Sequence, residues 1–141
     1  MRLIGFNFHK MSVERFKDQV ADTLKFNTKL DITSIDPLKS DIIRTKDEIL
    51  KVEFVYSILY EPEFAKLDLT GQVIIEVEPK IAREVLKGWK DRETSEEFRI
   101  FMFNIILRKA NVKALQLEDE LNLPPHIPLP VFSKDAPREE K

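Results

Sequence analysis

The chain predicts an α+β fold, with strands in its first half and helices in its second. Three patterns carry that reading. Apolar residues alternate with a period of two up to Val77, recur at spacings of three and four from Pro79 onward, and then enter a proline-rich run. That run, LNLPPHIPLPVF from Leu121 to Phe132, holds four of the eight prolines. It cannot continue a helix or enter a central strand, so it is expected to dock in extended form.

Each element follows from its own pattern. Ile4, Phe6 and Phe8 alternate with Gly5, Asn7 and His9, which gives a short first strand with aromatic residues on one face. From Ser12 to Phe26, Val13, Phe16, Val20 and Leu24 fall at helical spacing, with Ser12 in a capping position and Glu14 in the first turn. An extended linker is the competing reading. Phe26, Thr28, Leu30 and Ile32 then restore the alternation, and Pro37 ends that strand. Ile42 to Tyr60 carries the strongest strand pattern, split or bent near Thr45-Lys46-Asp47-Glu48. Its even positions Leu50, Val52, Phe54, Tyr56, Ile58 and Tyr60 form a core face. Glu61-Pro62-Glu63 punctuates a hairpin. Beyond it Ala65, Leu67, Leu69, Val73, Ile75 and Val77 share one face, so this antiparallel pair is expected at the centre of the sheet. Gly71, alone within that strand, reads as a bulge.

Pro79 suits the first turn of a helix whose apolar positions are Ile81, Ala82, Val85, Leu86 and Trp89, and Gly88 closes it. Thr94 or Ser95 caps the next helix, with Glu96 and Glu97 favourably placed at its N-terminal end. Phe98, Phe101, Met102, Ile105 and Ile106 form its stripe, widened by Ile100, Phe103 and Leu107. A helix so broadly apolar is expected to be buried on more than one side, by the sheet and by a second subunit. Ala114, Leu115, Leu117 and Leu121 extend or restart it before Pro124 stops it. Residues 1–133 therefore read as one domain, and 134–141 as a charged, disordered tail.

Composition removes several function classes. With 43% apolar and 34% charged residues the chain reads as soluble and globular. No apolar run reaches the ~18 residues that span a bilayer, and Met1-Arg2 leads straight into the alternating segment, so no membrane insertion and a cytoplasmic location are expected. Cysteine is absent, which excludes disulfides, thiolate metal sites and thiol nucleophiles. Few glycines, abundant Glu and Lys and no cysteine resemble a thermophile's composition. Formal net charge is −2 with the signs interspersed, which predicts no polyanion-binding face and no nucleic-acid partner. His9 and His126 lie far apart and in no metal-ligand spacing, so each reads as a surface or packing histidine. There is no glycine-rich phosphate loop. No catalytic residues, metal or cofactor are assigned, and the chain does not read as an enzyme.

Two segments resemble a known family. Thr28-Lys29-Leu30-Asp31-Ile32, and Leu121-Asn122-Leu123-Pro124-Pro125 after the long helix, are similar to segments of the SecB export chaperones and their SecB-like archaeal and bacterial relatives. The resemblance runs from Leu3 to Phe132. It implies a four-stranded antiparallel sheet packed by C-terminal helices, a homo-oligomer built as a dimer or dimer of dimers, and an ATP-independent chaperone holding unfolded polypeptides in aromatic-lined grooves. The sequence departs from the family where Leu24 replaces a tryptophan, where Thr70-Gly71-Gln72 replaces a Gly-Gly crossover, and where Glu96-Glu97-Phe98-Arg99 replaces a proline-containing helix start. Docking on the export motor is not carried over to Asp68 or Glu76.

The function expected on these grounds is a holdase for nonpolar segments of unfolded chains, linked to export in the family. The alternative is an adaptor, or a toxin-antitoxin-linked chaperone, with one fixed partner. Phe8, Leu24, Phe26, Tyr56, Tyr60 and Trp89 are the expected peptide-binding groove, with Ile127 and Leu129 as its movable wall. The proline run is either a strap closing the core or that wall. Its interleaved Leu121, Leu123, Ile127, Leu129 and Val131 are too apolar to stay exposed.

Overall fold

A computed structural model describes residues 1–18, 23–39 and 46–134. Four strands come first, β1 (Arg2–Arg15), β2 (Lys25–Pro37), β3 (Glu48–Glu61) and β4 (Ala65–Val77), followed by helices α1 (Pro79–Trp89) and α2 (Glu96–Glu120). The strands form one antiparallel sheet in the order β1-β4-β3-β2, so the predicted central hairpin is central and β1 and β2 are its edges.

Alternation builds the core as expected. Leu50, Val52, Phe54, Tyr56, Ile58 and Tyr60 on β3, with Leu67, Leu69, Val73 and Ile75 on β4, have at most 1% of their surface exposed. Full burial of such a side chain contributes about 1.5–3 kcal/mol. The opposite face is half-exposed and polar. There Ser57 donates to Asp68 (2.9 Å), Ser34 donates to Glu53 (3.0 Å), and Arg2 pairs with Glu76.

β1 is longer than its sequence pattern suggests. Met11, Val13 and Arg15 pair with Leu69, Leu67 and Ala65, so Ser12–Arg15 is strand and not the start of a helix. A spacing of three puts Val13 and Phe16 on one helix face but on opposite strand faces, and pairing to an already buried β4 overrides that local signal. Val20, on which the helical reading also rested, lies outside the described residues, as do 42–45 of the predicted third strand and 135–141 of the predicted tail. β1 also breaks register between Leu3 and Gly5 and between Phe8 and Lys10. The first break takes Ile4 off the expected face and puts Leu3 there beside Phe6 and Phe8.

Gly71 is not itself a bulge, because β3 and β4 stay in register through it, and the irregularity lies opposite on β1. It is needed for close approach: a Cβ there would sit 2.4 Å from the carbonyl oxygen of Asn7 and 2.9 Å from the Phe54 ring. The ring of Phe54, its partner across β3, covers the space that a side chain would fill.

The helices lie on the core face, α1 over β2 and β3 and α2 over β4. Pro79 opens α1, whose Ala82 and Val85 are buried. The chain then turns back so tightly that the Glu93 N–H donates to the Gly88 carbonyl (3.0 Å). Ser95 caps α2, its Oγ accepting from the Phe98 N–H (3.2 Å), with Glu96 and Glu97 in the first turn. Only a stripe with a step of four is buried on α2: Phe98, Met102, Ile106, Ala110, Ala114 and Glu118. Burial on a second side is not seen in the single chain, where Ile100 and Val112 remain exposed. Asn122 ends the helix in the left-handed region (φ 53°), and the Leu123 N–H returns to the Glu118 carbonyl (2.8 Å).

Candidate functional site

Three features meet around α2. Beneath the proline run lies a buried polar cluster drawn from β3, α2 and the run itself. Nδ1–H of His126 donates to Oε1 of Glu118 (2.7 Å), and the hydroxyl of Tyr60 donates to the other oxygen of that carboxylate. The Tyr56 hydroxyl donates to Oδ1 of Asn111 (2.8 Å), and Nε2 of His126 stands 3.2 Å from the Tyr56 oxygen and 3.0 Å from the Asn111 oxygen. Only 3% of the His126 side chain and 1% of that of Glu118 are exposed. Burial, with the Glu118 charge beside it, pushes the Tyr56 phenol up to about 12. Tyr60 is raised further by burial, by its hydrogen bond to Glu118 and by the Glu118 and Tyr56 charges.

This Glu-His-Tyr chain has the components of a proton relay. Tyr56 and Tyr60 have no exposed surface, however, so a solute cannot reach it. Its geometry instead fastens the proline run to the core. Arg15 fastens the run's other end: its guanidinium lies 5.1 Å over the Phe64 ring and donates to the carbonyls of Leu121 and Asn122, both at 3.1 Å. Leu123 is buried and Ile127 half-buried. Beyond them the run leaves the core, with Leu129 half-exposed, Val131 80% exposed and Phe132 94% exposed. The expectation that its apolar residues all dock holds up to Ile127 and fails from Leu129 on.

The second feature is an open groove of about 770 Å³ between the core face of β1 and one flank of α2. Leu3, Phe6 and Phe8 floor it, Ile105 and Val112 wall it, and Arg108, Lys109 and Lys113 stand along its rim. Phe6 and Phe8 meet edge to face at 5.0 Å, and both rest on Phe54, at 5.4 and 6.3 Å. Beside this floor runs the free edge of β1, whose outer main-chain groups pair with no other strand among the described residues. The third feature, at the opposite sheet edge, is a smaller groove of about 500 Å³ lined by Ile32, Trp89 and Phe103 with Asp31, Arg92, Glu93 and Arg99. There the Arg92 guanidinium lies 4.8 Å over the Trp89 ring and donates to the Thr33 carbonyl (3.1 Å).

The residues predicted to share one groove are thus distributed. Phe8 lies in the large groove and Trp89 in the small one, at opposite edges of the sheet. Leu24 and Phe26 are half-buried at the start of β2, Phe26 packing edge-on to Tyr60 at 5.4 Å. Tyr56 and Tyr60 line no groove, because the fastened run and α2 cover them. Ile127 and Leu129 flank the point where the run leaves the core. His126, read as a surface or packing residue, is a packing residue with polar partners, whereas His9 is exposed beside the second irregularity of β1. Val112 of the large groove escaped the sequence reading, and Ile105 was placed in the apolar stripe of the helix and not in a groove. Their seven-residue spacing, out of phase with the buried stripe, is the signal that could have found them. Among the described residues, no group of three or more His, Asp or Glu could hold a metal, and no helix is long and apolar enough to cross a membrane.

No protein-family model and no curated protein sequence matches the chain. Its fold is similar to that of the SecB-like chaperone Rv1957 of Mycobacterium tuberculosis, solved in complex with a ChAD peptide from the Rv1956 HigA1 antitoxin. The TM-score is 0.55 at 13% identity, over 96% of this chain and 92% of that one. The fold is SecB-like.

Proposed function

We propose that the protein is an ATP-independent chaperone that binds nonpolar segments of unfolded polypeptides in the groove between β1 and α2. The observation that carries this reading is an unpaired strand edge running beside an aromatic floor. An extended client can add its backbone to β1 while its apolar side chains rest on Phe6, Phe8 and Val112, a mode of capture with little side-chain selectivity. Desolvation supplies the affinity at ~25 cal/mol per Å² of apolar surface. In this reading the protein works in the cytoplasm as an interaction protein, without cofactor or catalysis. It forms homo-oligomers, and an export motor is one candidate recipient of its clients.

The test is light scattering by a chemically denatured client diluted into buffer without nucleotide. Suppression at several-fold molar excess of the protein is the expected result, and unchanged aggregation overturns the reading. The SecB-like fold neighbour was solved with an antitoxin peptide, which favours one alternative, an adaptor dedicated to a single partner. Affinity capture from the native cell separates the two: many substoichiometric clients support the holdase, and one stoichiometric partner supports the adaptor.

A further inference from the structure

The proline run ends in apolar side chains that the core does not hold. Leu129 is 50% exposed, Val131 80% and Phe132 94%. Three such side chains within four residues make a patch, which a folded chain seldom leaves in water without a use for it. The direction of the run is fixed by its fastenings. The Leu123 N–H meets the Glu118 carbonyl, and His126 reaches both Glu118 and Asn111, so the run doubles back along α2 toward the N-terminal end of that helix. His126 also stands beside Tyr56, which pairs with Leu30 of β2. One step further along the same path Phe54 pairs with Ile32, and Ile32 lines the small groove.

Reach and chemistry agree with that path. From Ile127, the last half-buried residue of the run, to Phe132 an extended chain covers about 16 Å at 3.3 Å per residue. From Asn111 back to Phe103 the helix rises about 12 Å at 1.5 Å per residue, so Val131 and Phe132 draw level with the small groove. Pro128 and Pro130 hold the segment extended before it docks, and little chain entropy is lost on closing. Prolines bring no N–H, and the edge of this groove asks for none at Thr33, whose carbonyl already accepts from Arg92. Arg92 and Arg99 balance Asp31 and Glu93 within the groove, and residues 129–132 carry no charge, so nothing electrostatic opposes an apolar contact. The large groove is no alternative for the segment, because α2 stands between it and the run. We propose that residues 129–132 are a hinged strap that closes over the small groove of its own chain, turning at Pro128 and seating Val131 and Phe132 against Ile32, Trp89 and Phe103. A tether this short gives an effective concentration on the order of millimolar, which favours the chain's own strap over that of a second copy. The groove is open to a partner only while the strap is swung out. The proposal does not depend on peptide binding at β1.

The chain supplies its own reporter, since its single tryptophan is Trp89 in the small groove. In the full-length protein, V131S/F132S changes two side chains that the core does not hold, so its effect on Trp89 reads the strap alone. The expected result is a red shift of Trp89 emission and stronger quenching by acrylamide in the variant than in the wild type. Identical emission and quenching in the two proteins overturn the proposal. A second measurement uses the absence of native cysteine. Under mild oxidation R99C/F132C forms a disulfide within one chain, whereas F132C/K66C, with its second thiol on the outer face of the sheet, does not. Failure of R99C/F132C to close, or equal closure of both pairs, overturns the proposal. A disulfide that runs only between chains, seen as a dimer on a non-reducing gel, assigns the strap to a neighbouring copy and also overturns it.

Discussion

The two flanks of α2 are built on opposite principles. Toward the centre of the sheet the helix buries Ala110, Ala114 and Glu118, where the Glu118 carboxylate accepts from Tyr60 and His126 and the Asn111 amide oxygen accepts from Tyr56. Toward β1 the same helix presents Arg108 and Val112 to open space, beside a half-buried Ile105. The closed flank contains side chains that cannot tolerate a missing partner, since a buried carboxylate without donors costs several kcal/mol. The open flank contains side chains that lose little by waiting for one. A single helix therefore divides a closed flank, which holds the fold, from an open one by the direction in which its residues point.

The largest expected effect comes from breaking the closed flank at its centre. Glu118→Ala leaves Nδ1 of His126 and the Tyr60 hydroxyl without their acceptor, and should cost about 3–5 kcal/mol in urea unfolding. A loss below 1 kcal/mol would show that the cluster contributes little to the fold. His126→Ala is the sharper test, because it removes the fastening and leaves the α2 and β3 partners in place. About 1–3 kcal/mol is expected, with faster amide hydrogen exchange confined to the proline run and unchanged protection in β3 and β4. Uniform loss of protection across the sheet would mean that the run and the core are one cooperative unit. The smallest stability effect belongs to the open flank. Val112→Ser, at a position 56% exposed, should leave stability within about 0.5 kcal/mol while weakening peptide binding several-fold. A substantial fall in melting temperature would remove the distinction between the flanks.

How much of this was legible depended on whether neighbouring residues carried the signal. The core faces of β3 and β4 could be read directly, because a sheet buried on one side writes its burial into alternate positions such as Leu50, Val52 and Phe54. The extension of β1 could not. Val13 and Phe16 sit at a helical spacing of three, and only the pairing of Val13 with Leu67 selects the strand. The large groove was half legible. Phe8 was picked out, but Ile105 and Val112 were lost in a helix apolar on most sides, where sequence cannot separate the residues facing the sheet from those beside it.

The polar cluster was the least legible part, since Tyr60 and Glu118 are 58 residues apart and nothing local links them. The fold neighbour supports the α+β architecture that the alternation and the family resemblance implied.

Sequence by itself determined the succession of four strands and two helices apart from the end of β1, the buried face of the central hairpin, the start of α2 at Thr94 or Ser95 and the end of that helix before Pro124. Each of these follows from local sterics or from a periodicity that neighbouring residues express together. Tertiary structure alone decided what the proline run does. It is held by His126 and Leu123 as far as Ile127 and released from Leu129 onward, because the partners that hold it come from β3 and α2, and among the described residues Val131 and Phe132 stay 80% and 94% exposed. It also decided that the aromatic residues gather at two separate edges, because β1 and β2 lie on opposite sides of the hairpin that joins them into one sheet.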